Sequence, residues 1–377
     1  MKRLKSESLQ AGTLPPATDG ETAAGESSNL AATVGNLPTQ SGLRITGVRM
    51  VVPKPRRPLP EYEPAADAWS PYDVELSSPM SIYPKYKGPR ALFLADDLGP
   101  PAVEISTDKG VTGIGFGGPG ADYVIEKHFR KLLLGEDPFN IERLWDIMWR
   151  STLYYGRKGM VIHAISAVDN ALWDLLGKAL NTPVYRLLGG ETKPQIPAYC
   201  TGNDIQQHVE FGFTKLKLAM PYGPADGREG MKKNVELVKQ ARDALGPDGE
   251  IMLDCWMAFT EQFTLEMAAE LEPYRVYWME ECLPPDDYAG LARLNARITS
   301  TRMATGEHEY TRYGFRLLQK YQAADIWQPD MRWCGGLTEL RRIAALAAAD
   351  GIPVIPHAGA EAGAPHLILA TPKCPWC

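Results

Sequence analysis

Several features are missing from this chain of 377 residues, and each absence removes a class of function. No apolar stretch approaches the ~18 residues that span a bilayer. The longest runs, such as IAALAAA ending at Ala349, have the length of a core helix. There is no excess of positive charge: 40 Lys and Arg against 46 Asp and Glu leave a net charge of −6 and a pI near 5.7. Nucleic acid and anionic membrane therefore meet no attractive field, and neither is expected as a partner. Lys2, Arg3 and Lys5 are followed by no apolar segment, so no secretory signal is expected, and Glu7, Asp19, Glu21 and Glu26 disfavour a mitochondrial one. The six cysteines follow no disulfide framework, and a chain of this size needs no staples. Reduced thiols and a cytoplasmic location are the expectation. Cys374 and Cys377 form a C-x-x-C without a second ligand pair, which leaves zinc and redox readings unsupported. Residues 1–43 lack any aromatic residue and are rich in Ser, Thr, Ala, Gly and Pro, which predicts a disordered tail.

What is present is ordinary globular material, 44% hydrophobic and 23% charged, in two textures. Residues 44–190 read as an α+β domain. Strand-like runs (RITGVRMVV, ALFLADDL, PAVEISTD) surround a Pro-rich passage, PKPRRPLPEYEP, that should be an extended loop. The stretch GVTGIGFGGPG lacks the Lys-Ser/Thr ending of a phosphate loop and reads as a strand with a Gly-rich loop. Helical periodicity follows at 125–134, 141–150 and 160–180. In the last, Ile162, Ile165, Val168, Leu172, Leu175 and Leu176 mark one buried face. From 191 to 377 strand and helix alternate. The strand candidates are IPAYC, TKLKLAM, IMLDCW, VYWMEE, RMATGE, DIWQPD and IPVIPH, apolar without alternation, as in a parallel barrel buried on both faces. That makes seven, where a closed TIM-type (β/α) barrel needs eight.

An acid or a histidine closes five successive strands: Asp254, Glu280, Glu307, Asp330 and His357, at steps of 26, 27, 23 and 27 residues. One such residue alone would most simply cap a helix or pair inside the core. In phase, they converge on the mouth formed by the strands' C-terminal ends, where barrels build their sites. Asp254, Glu280 and Glu307 are an all-oxygen set that suits a hard divalent cation, Mg²⁺ before Mn²⁺. Asp330 beside His357 would fix the imidazole tautomer and raise its basicity, as a general base requires. Lys215 and Lys217 point to one side of their strand and are expected at the same mouth, as a second base or as cations for a substrate carboxylate. A base beside a metal is the arrangement for removing a proton α to a carboxylate.

The order KLK, LDCW, MEE, GEH, QPD, PH resembles the mandelate racemase-type branch of the enolase superfamily, and most closely its L-rhamnonate dehydratases. PMSIYPKY, AVDNALWDLLGK, PVYRLLGG, EECLPP and WCGGLTEL extend the likeness over about 44–360, more specifically in the barrel than before it. The resemblance implies a modified TIM-type barrel under an N-terminal α+β capping domain. It implies Mg²⁺ on Asp254, Glu280 and Glu307, and dehydration of a sugar acid, L-rhamnonate first, by His357 oriented by Asp330. His308 and Arg90 would touch the substrate, with Lys217 a barrel-side cation. A small-molecule sugar acid is the expected partner, and a homo-oligomer the expected assembly. Two departures stand out. EYEPAADAWSPYDVELSS has no histidine where the family is expected to place one, which leaves sugar preference open. The family continues with an eighth strand where this text ends, which predicts a truncated, open barrel with unpaired edges on strands one and seven. Another acid-sugar dehydratase, an epimerase using Lys217 and His357 on opposite faces, and a non-catalytic barrel module are the alternatives.

Overall fold

The structure, a computed structural model, describes residues 40–53, 74–90, 102–361 and 363–377. The expected tail (up to residue 39), the strand candidate at 91–98, and most of the Pro-rich passage and of the histidine-free segment lie outside the described residues.

Ala102–Thr107 forms the middle of a three-stranded antiparallel sheet, with Ile45–Val51 on one edge and Thr112–Phe116 on the other. Helix Met160–Ala179 lies on this sheet, and the Gly-rich strand explains how closely. A Cβ at Gly113 or Gly115 would sit 2.1 Å from the carbonyl oxygen of Ala171 or Ala167. The glycines let a helix backbone lie against a strand; they cradle no phosphate.

The same helix departs from its expected single buried face. Every residue from Val161 to Trp173 is buried. The sheet covers one side, and helix Gly336–Ala349 of the barrel covers another. The polar positions that looked solvent-facing hold the amino end of that barrel helix. Ser166 Oγ accepts from Gly335 N–H (2.9 Å), Asn170 Oδ1 from Leu337 N–H (3.0 Å) and Asp169 Oδ2 from Thr338 N–H (2.8 Å). Trp145 Nε1 and Trp173 Nε1 add hydrogen bonds to Gly335 O and Thr338 Oγ1, both 2.8 Å. First-turn N–H groups have no partner within their own helix, and leaving one buried and unpaired costs about 1–3 kcal/mol. AVDNALWD and WCGGLTEL are thus two halves of one joint.

Six parallel strands stand in sequence order: Cys200–Thr201, Lys215–Ala219, Glu250–Asp254, Trp278–Glu280, Arg302–Thr305 and Ile326–Trp327. Val354 adds a seventh position by a parallel bridge to Trp327. Met252, Trp278, Ala304, Ile326 and Ile355 form a separate inner core, with Tyr199, Tyr277 and Trp376 packed against it. The expectation of bare edges on strands one and seven is corrected by the last five residues. Val354 N–H donates to Lys373 O, Tyr199 N–H to Cys377 O, and Cys377 N–H to Pro197 O, each at 3.0 Å. Trp376 meanwhile packs on Tyr277 and Trp278 at centroid distances of 4.7 and 6.1 Å. Among the described residues no eighth regular strand forms, yet KCPWC, too short and irregular to read as one, spans both edges. Among the described residues no helix is long and apolar enough to cross a membrane.

The joint at Asp169 generates a prediction. Burial pushes the Asp169 carboxyl up to about 7, with Thr338 only partly opposing it, and its Oδ1 is buried without a partner, as suits a protonated acid. A folded pKa above the unfolded value means a contribution complete below about pH 4 and lost as pH rises through 7. Asp169→Asn keeps an acceptor for Thr338 and removes the titration. Relative to wild type, it should gain roughly 2–3 kcal/mol between pH 5 and pH 8. Urea midpoints at the two pH values measure this; parallel changes in the two proteins would refute it.

Candidate active site

Parallel register brings the acids together. Asp254 stands level with Glu280, and Glu280 level with Ala304, so Glu307 follows three residues beyond that line. Asp330 and His357 follow the next two strand positions. All four carboxylates are buried. The ladder opens on a cavity of about 630 Å³, lined among others by Arg90, Lys217, Asp254, Glu307, His308 and His357.

The pairs are specific. His357 Nδ1 lies 2.7 Å from Asp330 Oδ2, and its Nε2 faces Glu307 Oε1 at 3.3 Å. Asp330 is also held by Arg332, whose backbone N–H and Nη2 donate at 2.6 and 3.0 Å. Lys217 Nζ donates to Glu280 Oε1 (2.8 Å), while Trp278 Nε1 and Gln328 Nε2 donate to Oε2 at 3.0 and 2.8 Å. Arg90 crosses from the capping side, donating from Nη1 to Asp254 Oδ2 (3.0 Å) with its guanidinium 4.6 Å from the Trp256 ring centroid. His308 Nδ1 pairs with Glu281 Oε2 at 2.6 Å.

Burial works against every charge here, and the partners decide the outcome. Asp254 is lowered because Arg90 and Lys217 outweigh its desolvation. Asp330 is held well below the usual carboxylate range: burial opposes, but Arg332 and His357 prevail. Lys217 stays cationic, its desolvation overcome chiefly by Glu280. For His308 burial opposes the charge, yet Glu281 and Glu307 raise it to about 10. His357 is raised despite burial, by Glu307 and the Asp330 hydrogen bond. Glu307 alone is pushed up by desolvation, which marks it as the carboxylate most short of positive charge.

Eight of the nine expected residues reach this region. Lys215 is the correction. It shares the inward face with Lys217 but sits two residues earlier, about 6–7 Å deeper along the strand. Its Nζ lies 5.2 Å from the Trp376 ring centroid, in the floor of the barrel, so it is no substrate contact at the mouth. Glu281, Arg332, Trp333 and His163 were not foreseen. Glu281 was visible in the MEE doublet, but it lies just past the strand with a positive φ of 45°, so strand alternation could not tell that it turns toward His308. His163 is remote in sequence and had no signal.

The donors fit a hard divalent cation. Among the described residues, Asp254 Oδ1 is buried with no partner, and Glu307 meets only imidazoles at 3.3 and 3.8 Å. Glu281, Glu307 and His308 also place one ligand atom each within 4.8 Å of one another, a mixed set that shares Glu307. There, however, Glu281 and His308 already satisfy each other.

Comparisons with known proteins cover both parts of the chain. Residues 101–189 match the mandelate racemase / muconate lactonizing enzyme N-terminal domain, and residues 202–377 match the enolase C-terminal domain-like family. An L-rhamnonate dehydratase of Saccharopolyspora erythraea is 43% identical over 319 residues, covering 84% of this chain and 81% of the relative. A crystal structure of L-rhamnonate dehydratase from Gibberella zeae superposes with a TM-score of 0.79 at 40% identity, over 88% of this chain and 82% of that one. A second Gibberella zeae rhamnonate dehydratase structure, complexed with Mg, gives a TM-score of 0.79 at 38% identity, over 92% and 84%. With both halves matched and the curated relative covered over most of its length, the chain belongs to the L-rhamnonate dehydratase family of sugar-acid hydro-lyases, in the mandelate racemase branch of the enolase superfamily.

Proposed function

We propose that the chain dehydrates a six-carbon sugar acid, L-rhamnonate first, to 2-dehydro-3-deoxy-L-rhamnonate and water, with Mg²⁺ held by Asp254, Glu280 and Glu307. The observation that carries this reading is the Asp330–His357 pair, aimed at the same cavity as the unpartnered Asp254 oxygen. When bound, Mg²⁺ would supply the positive charge that stabilises the negative charge gathering on the substrate carboxylate as C2 loses its proton.

The chain's own groups then have separate tasks. Asp330 accepts from His357 Nδ1–H, so that Nε2 carries the lone pair and takes the C2 proton. The electron pair left at C2 expels the C3 hydroxyl, and the imidazolium returns its proton to that leaving group as water. The enol so formed becomes the 2-keto acid. Arg90 keeps two buried N–H donors, on Nε and Nη2, for substrate oxygens. Lys217, locked cationic by Glu280, adds positive charge on the barrel side.

One observation favours a second reading. Lys217 lines the same cavity as His357, as an epimerase with a base on each face would require. Product analysis separates the two, since dehydration yields a 2-keto acid and epimerisation conserves water.

Purified protein with Mg²⁺, tested on a panel of aldonic acids, should release 2-keto acid from L-rhamnonate. No turnover of any six-carbon or 6-deoxy aldonate would overturn the reading. His357→Asn should lower kcat about 10²–10⁴-fold, and Asp330→Asn should lower kcat by a similar order with KM little changed. An unchanged kcat in either removes that residue from the chemistry.

Metal binding has a readout without turnover. Mg²⁺ at about 100 times its Kd should stabilise the chelator-treated protein by about 2.7 kcal/mol. Asp254→Asn should abolish most of that gain in thermal unfolding. An equal gain in the variant would place the ion elsewhere.

A further inference from the structure

His163 enters the active cavity from the helix that joins the sheet to the barrel, and nothing in the chemistry above uses it. Its placement is tightly built. Nδ1 lies 3.1 Å from the carbonyl oxygen of Pro119, in the Gly-rich loop. A carbonyl only accepts, so Nδ1 carries the hydrogen and Nε2 presents a lone pair. Burial lowers the pKa of the ring, which keeps it neutral. A Cβ at Gly118 would sit 2.6 Å from the His163 ring and 2.7 Å from Trp333, so this position admits only glycine without displacing both rings.

The free side of the imidazole meets one weak partner. Tyr310 Oη lies 3.4 Å from Nε2, at the outer limit of a hydrogen bond, and Tyr310 lines the same cavity. Trp333 links it to the reacting end. Its ring centroid is 5.8 Å from that of His163 and 5.6 Å from that of His357, so one indole neighbours both the base and this second imidazole.

We propose that His163 and Tyr310 form the distal-hydroxyl subsite of the sugar acid, reading a hydroxyl beyond C3. The substrate O–H donates to His163 Nε2 and its oxygen accepts from Tyr310 Oη–H, replacing one long contact by two good ones. Trp333 forms the apolar wall along which the intervening carbons lie. The Gly117-Gly118-Pro119 turn is then part of the site, because it fixes the tautomer that makes His163 an acceptor. This assignment rests on the sugar-acid reading above and extends it to chain length and hydroxyl pattern.

The test measures binding calorimetrically on the Mg²⁺-loaded protein in the His357→Asn background, where substrate is not consumed. L-rhamnonate, other six-carbon aldonates and the three-carbon acid glycerate serve as probes. Glycerate has the C2 and C3 hydroxyls but cannot reach His163. His163→Phe should weaken L-rhamnonate about tenfold and leave glycerate unchanged. His163→Gln, which retains an acceptor, should recover part of the loss, and Tyr310→Phe should cost a few-fold on the long acid alone. Equal losses on both acids, or none on either, would overturn the subsite. If His163→Phe fails to fold, the Tyr310→Phe comparison is read by the same criterion. Absence of L-rhamnonate binding in the parent counts against the substrate, and the subsite is then judged on whichever six-carbon aldonate binds. If none binds, both readings fall.

Discussion

Everything at the barrel mouth follows from one electrostatic constraint: too many carboxylates are gathered where water is scarce. Asp254, Glu280, Glu281, Glu307 and Asp330 are all buried at one end of the strands. A buried charge is tolerated only when paired and hydrogen-bonded, because its desolvation otherwise costs several kcal/mol. The chain answers with one cation for each acid but one. Arg90 faces Asp254, Lys217 faces Glu280, His308 faces Glu281, and Arg332 faces Asp330. Glu307 touches only the far nitrogens of the two histidines, and it is the acid whose pKa burial raises. The imbalance is local, and it is what a divalent ion held there would offset.

The same constraint explains why the capping side is joined so firmly to the barrel. Arg90 must cross from outside the barrel to balance Asp254, and His163 must reach the cavity from helix Met160–Ala179. The His163 placement depends on the joint in which Ser166, Asp169 and Asn170, on the same helix, hold the amino end of the barrel helix. A helix amphipathic in the ordinary sense would leave those polar positions in water. Here packing on two sides turns them inward, and they satisfy N–H groups that would otherwise be orphaned. Rigidity at the joint becomes precision at the site, where small displacements are expensive.

The barrel and its ladder were legible because both are written in local periodicity. Each strand-plus-helix unit repeats the same phase, so the sequence alone assigns Asp254, Glu280, Glu307, Asp330 and His357 to one mouth. What escaped reading depends on depth or on distance. Lys215 has the right face, but a side-chain period of two says nothing about height along the barrel axis, and it ends in the floor beneath Lys217. Glu281 was in view, but its partner His308 lies on the next strand, and only register brings them together. His163 is separated from Tyr310 by 147 residues, and no pattern in the chain connects the two. The closing role of Lys373–Cys377 was hidden for a different reason. Three backbone hydrogen bonds suffice to occupy both edges, and backbone groups leave no signature in side-chain chemistry.

Positive charge and acceptor character are distributed in the cavity with a consistent logic. The reacting end holds cations, Arg90, Lys217 and His308, which suit a carboxylate and the negative charge that accumulates beside it. Beside them the cavity holds a neutral imidazole, His163, and two aromatic side chains, Tyr310 and Trp333, which suit hydroxyls and the carbon chain between them. Two histidines therefore differ in character for traceable reasons. His308 is cationic because two carboxylates flank it, whereas His163 is neutral because burial outweighs the Pro119 carbonyl, which fixes only its tautomer. A polyhydroxylated acid has the same polarity along its length, charged at C1 and neutral beyond C3. On the reading proposed above, this pairing of cations with neutral acceptors would match that molecule along its length, and it would set the direction in which a sugar acid enters.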